Sequence, residues 1–353
     1  MSQATTDALQ IRDLDVPGYE RVALCEHAGT GLRAIIAVHS TALGPALGGT
    51  RFKSYPDDGA ALADVERLSE GMTYKAAAAG LDLGGGKAVI MGDPAVHKSP
   101  ELLRAYGLFV ESFGGTYITA ADVGTNSDDL DIVGEATTFA VGRNESSGGL
   151  GDSGYSTAAG VLSSMRAAVR FLRQRPLEGL TVGVEGAGKV GWRLIELLLN
   201  DGARVRVSEA LAAKRESLST SYPEVELVDD LFDAEIDVYA PCAMGATLTP
   251  GSAARLRATV VCGAANNQLA TADVADILHR HGIAWVPDYV ANAGGLIQVD
   301  AERTGRSLND VAGHVDGLGD SVTSILTRAV QDGVTAATAA RRIVDDRLSR
   351  AAR

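Results

Sequence analysis

The stretch LTVGVEGAGKVGWRLIELLLNDGARVRVSE (180–209) reads as an apolar strand, a glycine turn, a helix and a second strand. Its turn GAGKVG (186–191) fits the G-x-G-x-x-G pattern of dinucleotide-binding βαβ units. The first glycine allows the tight turn, the second lets the backbone approach a pyrophosphate, and the third lets the helix pack on the strand. We therefore predict that a dinucleotide binds at the helix N-terminus. The predicted contacts are Gly186, Ala187, Gly188, Lys189, Val190 and Gly191.

Glu209 ends the second strand of this unit, where dinucleotide-binding units carry an acidic residue beyond the glycine turn. A carboxylate there can bind the ribose diol and would repel a 2′-phosphate, which favours NAD over NADP. Lys214 and Arg215 lie nearby in the sequence and leave that preference open. Residues 183–189 also match the phosphate loop of nucleotide hydrolases, but Val190 stands where that loop needs Ser or Thr for magnesium. We therefore favour the dinucleotide interpretation.

Composition limits the class of protein. The 353 residues suit two domains, and 32 Lys plus Arg against 45 Asp plus Glu give a net charge of −13, which opposes non-specific binding to nucleic acid or anionic lipid. No apolar run reaches membrane-spanning length, and the N-terminus MSQATTDALQ lacks the apolar segment of a signal peptide. The six histidines show no metal-binding spacing, and the three cysteines suit reduced thiols. We expect a soluble cytoplasmic protein without a metal.

Strand and helix patterns alternate along the whole chain. In the first part we expect strands at 21–27, 33–40, 87–93 and 116–124, with helices at 58–79 and 101–114. The Gly/Ser-rich stretch 148–156 predicts a hinge, and further strand–helix units follow near 237–243, 259–267 and 284–295. We predict two α/β domains, 1–147 and 148–324, and a C-terminal helix at 325–353 that packs back on the first domain.

A second glycine-rich stretch, GLDLGGGKAVI (80–90), places Lys87 before an apolar run. It is not a nucleotide-hydrolase loop, because Leu81 stands where the first glycine is needed and Ala88 replaces the metal-binding hydroxyl. A lysine that enters a buried strand is costly unless it is paired or chemically used. The other polar side chains that the fold brings to Lys87 therefore decide its role.

Lys75 and Asp122 are the expected neighbours of Lys87. Lys75 lies upstream, at the end of a helix rich in small residues, and Asp122 closes a strand that we expect beside that of Lys87. Two lysines and an aspartate in one cleft suit amino-acid oxidation: one lysine binds a carboxylate, the other activates water at an imine carbon, and the aspartate transfers a proton. The alternative is that all three are solvated at element ends.

Seven motifs together resemble one known family, the glutamate/leucine/phenylalanine/valine dehydrogenases. They are LGPALGGTRF (43–52), MTYKAAAAGLDLGGGKAVI (72–90), ITAADVGTNSDDLD (118–131), GAGKVG (186–191), APCAMG (240–245), CGAANNQLA (262–270) and PDYVANAGGLIQV (287–299). The resemblance runs from Tyr19 to Arg347 and is greatest to the bacterial valine and leucine enzymes, with phenylalanine enzymes next. It implies an N-terminal α/β substrate domain and a Rossmann-type NAD domain with a cleft between them, in a homo-oligomer. The implied reaction is reversible and converts an L-amino acid, NAD and water into a 2-oxo acid, ammonium and NADH.

The resemblance also implies roles for particular residues. Lys87 and Asp122 would be catalytic, and Lys75 would bind the substrate carboxylate with help from backbone near Gly49. The further cofactor and cleft positions that it implies are Thr157, Glu209, Ala243, Met244, Ala264, Asn266 and Asn292. The family usually has Asp as the ribose-binding acid, so Glu209 is a departure, although its longer side chain should still reach the diol.

The implied side-chain pocket predicts an apolar substrate, because it consists of Leu47, Ala120, Leu296 and Val299. A glutamate substrate would bury a second carboxylate there without a cation, at a cost of several kcal/mol. Ala120 is typical of leucine and valine enzymes, whereas Leu296 occurs in some aromatic-acting relatives. We predict a branched-chain L-amino acid, with phenylalanine as the alternative.

Two hypotheses from other classes are weaker. A catalytically silent NAD-binding regulator would not need Lys75, Lys87 and Asp122 together. A nucleotide-hydrolysing switch would need the hydroxyl that both glycine–lysine loops lack.

Overall fold

A computed structural model describes residues 8–351 of the chain. The strands are β1 (Gln10–Leu14), β2 (Arg21–His27), β3 (Leu32–Ser40), β4 (Ala46–Lys53), β5 (Gly84–Met91), β6 (Tyr117–Ala121), β7 (Thr181–Glu185), β8 (Arg204–Ser208), β9 (Glu226–Val228), β10 (Val238–Pro241), β11 (Val260–Val261) and β12 (Ala284–Trp285). The helices of the first half are α1 (Asp58–Ala78), α2 (Pro94–His97), α3 (Pro100–Glu111), α4 (Ser127–Val133) and α5 (Gly154–Arg173). The remaining helices are α6 (Lys189–Asn200), α7 (Ala212–Ser221), α8 (Pro250–Arg255), α9 (Val274–Arg280), α10 (Asp288–Ala291), α11 (Gly294–Arg303), α12 (Leu308–Asp316), α13 (Leu318–Asp332) and α14 (Ala336–Ala351). Within residues 8–351, no helix is long and apolar enough to cross a membrane.

The first compact unit comprises the chain up to Asp152, Val299–Arg306 and the segment from Asp346. Its six-stranded sheet has the order β1-β2-β3-β5-β4-β6, in which β4 runs parallel to β5 and β6 and the other neighbours are antiparallel. Helix α1 buries Ala61 and Val65 against one face of the sheet. Helix α3 buries its apolar side against the other face. Both faces of the sheet are therefore covered.

Two strands of this sheet were not expected from the sequence. The edge strand β1 is almost entirely exposed, so it lacks the apolar alternation that marks a strand, and only its pairing with β2 reveals it. Strand β4 contains Gly48 and Gly49, which weaken strand propensity. It is a strand because β5 and β6 both pair with it.

Strand β5 begins at Gly84, so the prediction that it begins at Lys87 was wrong. Gly84, Gly85 and Gly86 all belong to the strand. At Gly85 and Gly86, residues of α1 and β6 approach so closely that there is no space for a side chain. A Cβ at Gly85 would overlap the backbone of Thr73 and lie 2.5 Å from the Ser69 carbonyl oxygen, both on α1. A Cβ at Gly86 would lie 2.7 Å from the Tyr117 ring. The glycine run thus lets α1 and the sheet pack directly against each other.

The second compact unit comprises Ser153–Gln298 and Ser307–Asp345. Its sheet is fully parallel, with the order β12-β11-β10-β7-β8-β9. This is the doubly wound order in which ligands bind at the carboxyl ends of the two central strands, here β7 and β10. The predicted fold class, α/β with a Rossmann-type second domain, is confirmed.

The C-terminal segment differs from the single helix predicted at 325–353. Helix α13 ends at Asp332, where Gly333 takes a left-handed conformation with φ of 64°, and α14 then begins at Ala336. The last turns of α14 belong to the first unit, where the Arg347 guanidinium donates hydrogen bonds to the carbonyl oxygens of Ala77 (2.8 Å) and Leu81 (2.9 Å). The residues before Asp346 in this helix group with the second unit.

Candidate active site

Three neighbouring strands of the first unit, β5, β4 and β6, place predicted substrate residues on one face of the sheet. Leu47 pairs with Gly85 on one side and Ile118 on the other, and Gly49 pairs with Ala120. Successive side chains of a strand point to opposite faces. The register therefore puts the following residues on the face that α1 covers: Leu47, Gly49, Arg51, Lys87, Ala120 and, directly after β6, Asp122.

Lys87 and Asp122 are in direct contact. The distance between Lys87 Nζ and Asp122 Oδ2 is 2.7 Å, and the side chains are 8% and 20% exposed. The turn that carries Asp122 is fixed by Thr125, whose Oγ1 accepts a hydrogen bond from the Asp122 N–H (2.9 Å) and donates one to the Thr50 carbonyl (2.8 Å). Residue 49 must be glycine here, because a Cβ would lie 2.9 Å from that of Asp122.

Asp122 is strongly favoured in its ionised form. Burial by itself would raise the pKa of this carboxyl, but the charge and hydrogen bond of Lys87 and the charge of Arg51 lower it to about 2. The Nε of Arg51 lies 3.3 Å from Asp122 Oδ2. Sequence reasoning missed Arg51, although it stands in strand alternation with Gly49 in the motif LGGTRF.

Lys75 lies in the last turn of α1 and is half-buried. Helix α1 lies over the face that carries Lys87, since a Cβ at Gly85, two residues before Lys87 in β5, would overlap the Thr73 backbone of this helix. Helix α1 therefore places Lys75 on the same side of the sheet as Lys87 and Asp122.

The other predicted pocket residues lie on α11. A Cβ built at Gly142 would be 3.7 Å from Val299 Cγ1 and 3.9 Å from the Ala121 nitrogen, so Val299 lies beside the end of β6 in the first unit. Leu296 is buried one turn earlier in the same helix and groups with the second unit.

In the second unit, the glycine turn between β7 and α6 has the three spatial properties that a dinucleotide requires. Gly186 has φ of 89°, and a Cβ there would lie 2.6 Å from that of Ala243. A Cβ at Gly191 would overlap the Gly186 carbonyl oxygen, whereas at Gly188 nothing lies within 4 Å. Gly188 is the N-cap of α6 and has no side chain with which to cap the first N–H groups of the helix. The turn therefore leaves space and N–H donors for a pyrophosphate.

Two further predicted contacts stand at the start of α6. Lys189 is exposed there, and Val190 is half-buried. Both residues belong to the first turn of the helix, whose backbone N–H groups point towards the glycine turn.

The Glu209 carboxylate holds the same turn in place. It accepts hydrogen bonds from the backbone N–H groups of Ala187 (2.8 Å) and Leu211 (2.9 Å), and Lys214 Nζ lies 4.0 Å away. Burial would raise the pKa of this carboxyl, but the two backbone donors and Lys214 lower it below its usual value. The contact with Ala187 was not foreseen from the sequence.

Ala264, Asn266 and Asn292 form a second cluster. The Asn292 amide donates hydrogen bonds to Asn266 Oδ1 (2.8 Å) and to the Ala264 carbonyl (3.1 Å). Asn292 is 4% exposed, and its Oδ1 has no hydrogen-bond partner among residues 8–351. Since buried polar atoms are nearly always paired in proteins, this oxygen fits a bound polar ligand.

Thr157 lies in the first turn of α5, where its hydroxyl donates to the Ser153 carbonyl (2.9 Å). A Cβ at Gly295 would lie 3.0 Å from this hydroxyl, so the start of α11 packs beside it. Met244, by contrast, is 74% exposed and lies at the surface. Over residues 8–351, no group of three or more His, Cys, Asp or Glu side chains could hold a metal ion.

Comparison with known proteins assigns two segments of the chain to one family. Residues 20–139 match the Glu/Leu/Phe/Val dehydrogenase dimerisation domain, and residues 206–343 match the Glutamate/Leucine/Phenylalanine/Valine dehydrogenase domain. A valine dehydrogenase from Streptomyces virginiae is 48% identical over 95% of each chain. A phenylalanine dehydrogenase from Caldalkalibacillus thermarum is 43% identical over 95% of this chain and 92% of that protein.

A solved structure also matches the whole fold. The L-tryptophan dehydrogenase from Nostoc punctiforme superimposes with a TM-score of 0.84 at 38% identity, and the match covers 95% of this chain and 97% of that one. The resemblance seen in the sequence motifs is therefore confirmed. This chain belongs to the Glu/Leu/Phe/Val dehydrogenase family of amino-acid dehydrogenases.

Proposed function

We propose that this protein catalyses the reversible, NAD-dependent oxidative deamination of a branched-chain L-amino acid, valine or leucine, to its 2-oxo acid and ammonium. It would thus be an oxidoreductase acting on a CH–NH₂ donor. The observation that carries the proposal is the buried contact of 2.7 Å between Lys87 and Asp122, on a sheet face that also presents Leu47 and Ala120. The ion pair can act on the amino group and Cα of a substrate, while Leu47 and Ala120 offer apolar surface to its side chain.

The residues of the first unit have distinct proposed roles. Lys75 binds the substrate carboxylate, with backbone near Gly49 as a second donor. Lys87 activates a water molecule for attack on the imine carbon and then stabilises the oxygen that forms. Asp122 accepts a proton from the substrate nitrogen and returns it in the reverse reaction, which requires the ionised carboxylate that its low pKa provides.

The residues of the second unit are the proposed cofactor site. The turn at Gly186–Gly191 binds the pyrophosphate and Glu209 binds the adenosine ribose, which favours NAD over NADP. Thr157, Asn266 and Asn292 bind the nicotinamide end, where the buried Asn292 Oδ1 can accept a hydrogen bond. Further contacts are proposed at Ala243, Met244 and Ala264. When bound, NAD supplies the acceptor for the hydride that leaves the substrate Cα.

The substrate assignment depends on the apolar pocket residues and on the relatives. Leu47, Ala120, Leu296 and Val299 offer no cation to a second substrate carboxylate, so glutamate is disfavoured. The valine dehydrogenase relative is more similar to this chain than the phenylalanine dehydrogenase relative, at 48% against 43% identity. Phenylalanine is the second candidate, because a change of one methylene in a pocket shifts specificity by only about 1–3 kcal/mol.

We also propose that the protein forms a homo-oligomer. The family description of residues 20–139 is a dimerisation domain. Symmetric assembly is the common state of soluble oligomeric enzymes. A cytoplasmic location stays a prediction.

The proposed function is tested by measuring NADH formation at alkaline pH with L-valine, L-leucine, L-isoleucine, L-phenylalanine, L-tryptophan and L-glutamate. We expect the highest kcat/KM with valine or leucine, no significant turnover of glutamate, and slower turnover when NADP replaces NAD. A higher kcat/KM with phenylalanine would favour the second candidate. Absence of NADH with every amino acid would contradict the proposed function.

A further inference from the structure

Arg51 joins the proposed proton-transfer residue to the helix that packs above it. Its Nε lies 3.3 Å from Asp122 Oδ2, while its Nη1 donates to both oxygens of Asp64 at 3.0 and 3.3 Å. The side chains of Arg51 and Asp64 are only 17% and 13% exposed. This is a largely desolvated ion cluster, in which charge–charge interactions are stronger than at a surface.

Asp64 is itself held by several donors. The Tyr55 hydroxyl donates to it at 2.8 Å and Arg67 Nη2 at 2.9 Å, and Lys53 Nζ lies 3.7 Å away. Asp64 and Lys75 both belong to α1, and their spacing is close to a whole number of helical turns, which places them on nearly the same face. The helix that presents Lys75 therefore also anchors Arg51.

The Asp122 carboxylate receives its two cationic donors from different strands. Lys87 reaches Oδ2 from β5 and Arg51 reaches the same oxygen from β4. Two donors from separate elements fix both the position and the rotation of a carboxylate. The planar guanidinium of Arg51 carries donors in several directions, so that Nε contacts Asp122 while Nη1 contacts Asp64, whereas a lysine ammonium is a compact point charge.

We propose that Arg51 is a positioning residue for Asp122 and that Asp64 is the anchor of Arg51. This role rests on the proposed function, because it assigns Asp122 to proton transfer. It adds to that function a residue that acts only through Asp122.

The charged groups around Asp122 predict what loss of Arg51 would do. Lys87 faces Asp122 from β5, Arg51 faces it from β4, and α1 contributes Asp64 behind Arg51 and Lys75 further along. Both neighbouring cations lower the pKa of the Asp122 carboxyl. Without Arg51 that pKa rises, so the carboxylate becomes protonated at a higher pH than in the wild type.

The kinetic test compares Arg51→Gln with Arg67→Gln. Arg67 also contacts Asp64, but its side chain is 55% exposed and the contact does not extend to Asp122. For Arg51→Gln we expect kcat to fall by about ten- to a hundredfold and KM for the amino acid to change by less than about threefold. Arg51→Lys should recover only part of kcat, since it restores charge without the second contact. Arg67→Gln should keep the wild-type kcat and KM.

A second readout does not depend on turnover. The titration of the Asp122 carboxyl is followed by ¹³C NMR of aspartate-labelled protein, with the signal assigned through Asp122→Asn. A higher midpoint in Arg51→Gln than in wild type supports the role of Arg51 even if the wild type turns over no amino acid, an outcome that would contradict the proposed function alone. An unchanged midpoint together with wild-type kcat in folded Arg51→Gln would overturn the inference.

Circular dichroism establishes whether Arg51→Gln is folded. If Arg51→Gln is not folded, Asp64→Asn is measured in its place. This change weakens the contact that anchors Arg51 and leaves the charge of Arg51 in place. A smaller loss of kcat in the same direction, with KM unchanged, supports the inference. Wild-type kcat in Asp64→Asn would overturn it.

Discussion

Lys87 is a buried cation whose charge is balanced by contact with the Asp122 carboxylate. Its side chain is 8% exposed, so desolvation of the ammonium is costly, and the contact with Asp122 offsets part of that cost. Removal of Asp122 would leave the buried charge of Lys87 without this partner, whereas removal of Lys87 would leave Asp122 with Arg51 as its cationic partner. Perturbed ionisable pairs of this kind are frequent at functional sites, so the desolvation cost of Lys87 and Asp122 favours a catalytic role over a purely structural one.

At the residue scale, Lys87→Arg should abolish most turnover. The change keeps the positive charge beside Asp122, but a guanidinium cannot be deprotonated in proteins and so cannot act as a base. We expect kcat to fall by roughly a thousandfold, as measured by NADH formation with L-valine. Retention of more than about a tenth of the wild-type kcat would remove Lys87 from the catalytic role.

A matched control exists in the same unit. Lys98 Nζ lies 2.7 Å from Asp129 Oδ2, the same distance as in the Lys87–Asp122 pair, but at a position outside the candidate site. Lys98→Arg should therefore leave kcat within about twofold of wild type. An equal loss in both variants would mean that the effect reflects folding.

The sequence was sufficient to predict Lys87 and Asp122 as neighbours, because each lies in a specific motif at an element end. Arg51 could not be predicted in the same way. Its importance depends on two contacts, with Asp64 and Asp122, that lie 13 and 71 residues away in the sequence. Pairing between distant segments creates such contacts, and no local pattern marks them.

At the element scale, the βαβ unit at 180–209 was predictable because strand, turn and helix follow from local sequence. The bond from the Ala187 N–H to Glu209 was not, because it spans 22 residues and depends on how far β8 extends beside β7. The same limit explains why the strand character of Gly84–Gly86 was missed. Glycine is depleted in strands, and here close packing on α1 overrides that preference.

The close packing of α1 on β5 predicts opposite effects for two glycine substitutions. Gly85→Ala should lower the free energy of unfolding by about 2–3 kcal/mol, because the new methyl group would overlap the backbone of α1 at Thr73. Gly71 lies on the exposed side of the same helix with nothing within 4 Å. Gly71→Ala should raise the free energy of unfolding by about 0.5–1 kcal/mol through helix propensity.

Urea denaturation measures both changes. Equal destabilisation by the two alanines would contradict the contrast between the crowded Gly85 and the exposed Gly71. A stable Gly85→Ala variant would contradict the close approach of α1 to β5.

At the scale of the whole molecule, the α/β class was predictable from alternating strand and helix patterns. The return of Val299–Arg306 to the first unit was not. It depends on Glu302, whose carboxylate accepts hydrogen bonds from the backbone N–H groups of Arg143 (3.3 Å) and Leu150 (3.1 Å). No local sequence pattern around Glu302 indicates that its carboxylate will bind the backbone of Arg143 and Leu150, which lie far away in the chain.

The proposed reaction is the NAD-dependent oxidative deamination of an amino acid at Lys87 and Asp122. Its most direct test is the stoichiometry of the reaction with L-valine and NAD, measured as NADH by absorbance, ammonium by a coupled assay and the 2-oxo acid by chromatography. We predict equal amounts of all three products from the wild type, and none above background from Lys87→Arg. NADH formed without ammonium, or equal product from both proteins, would contradict the account.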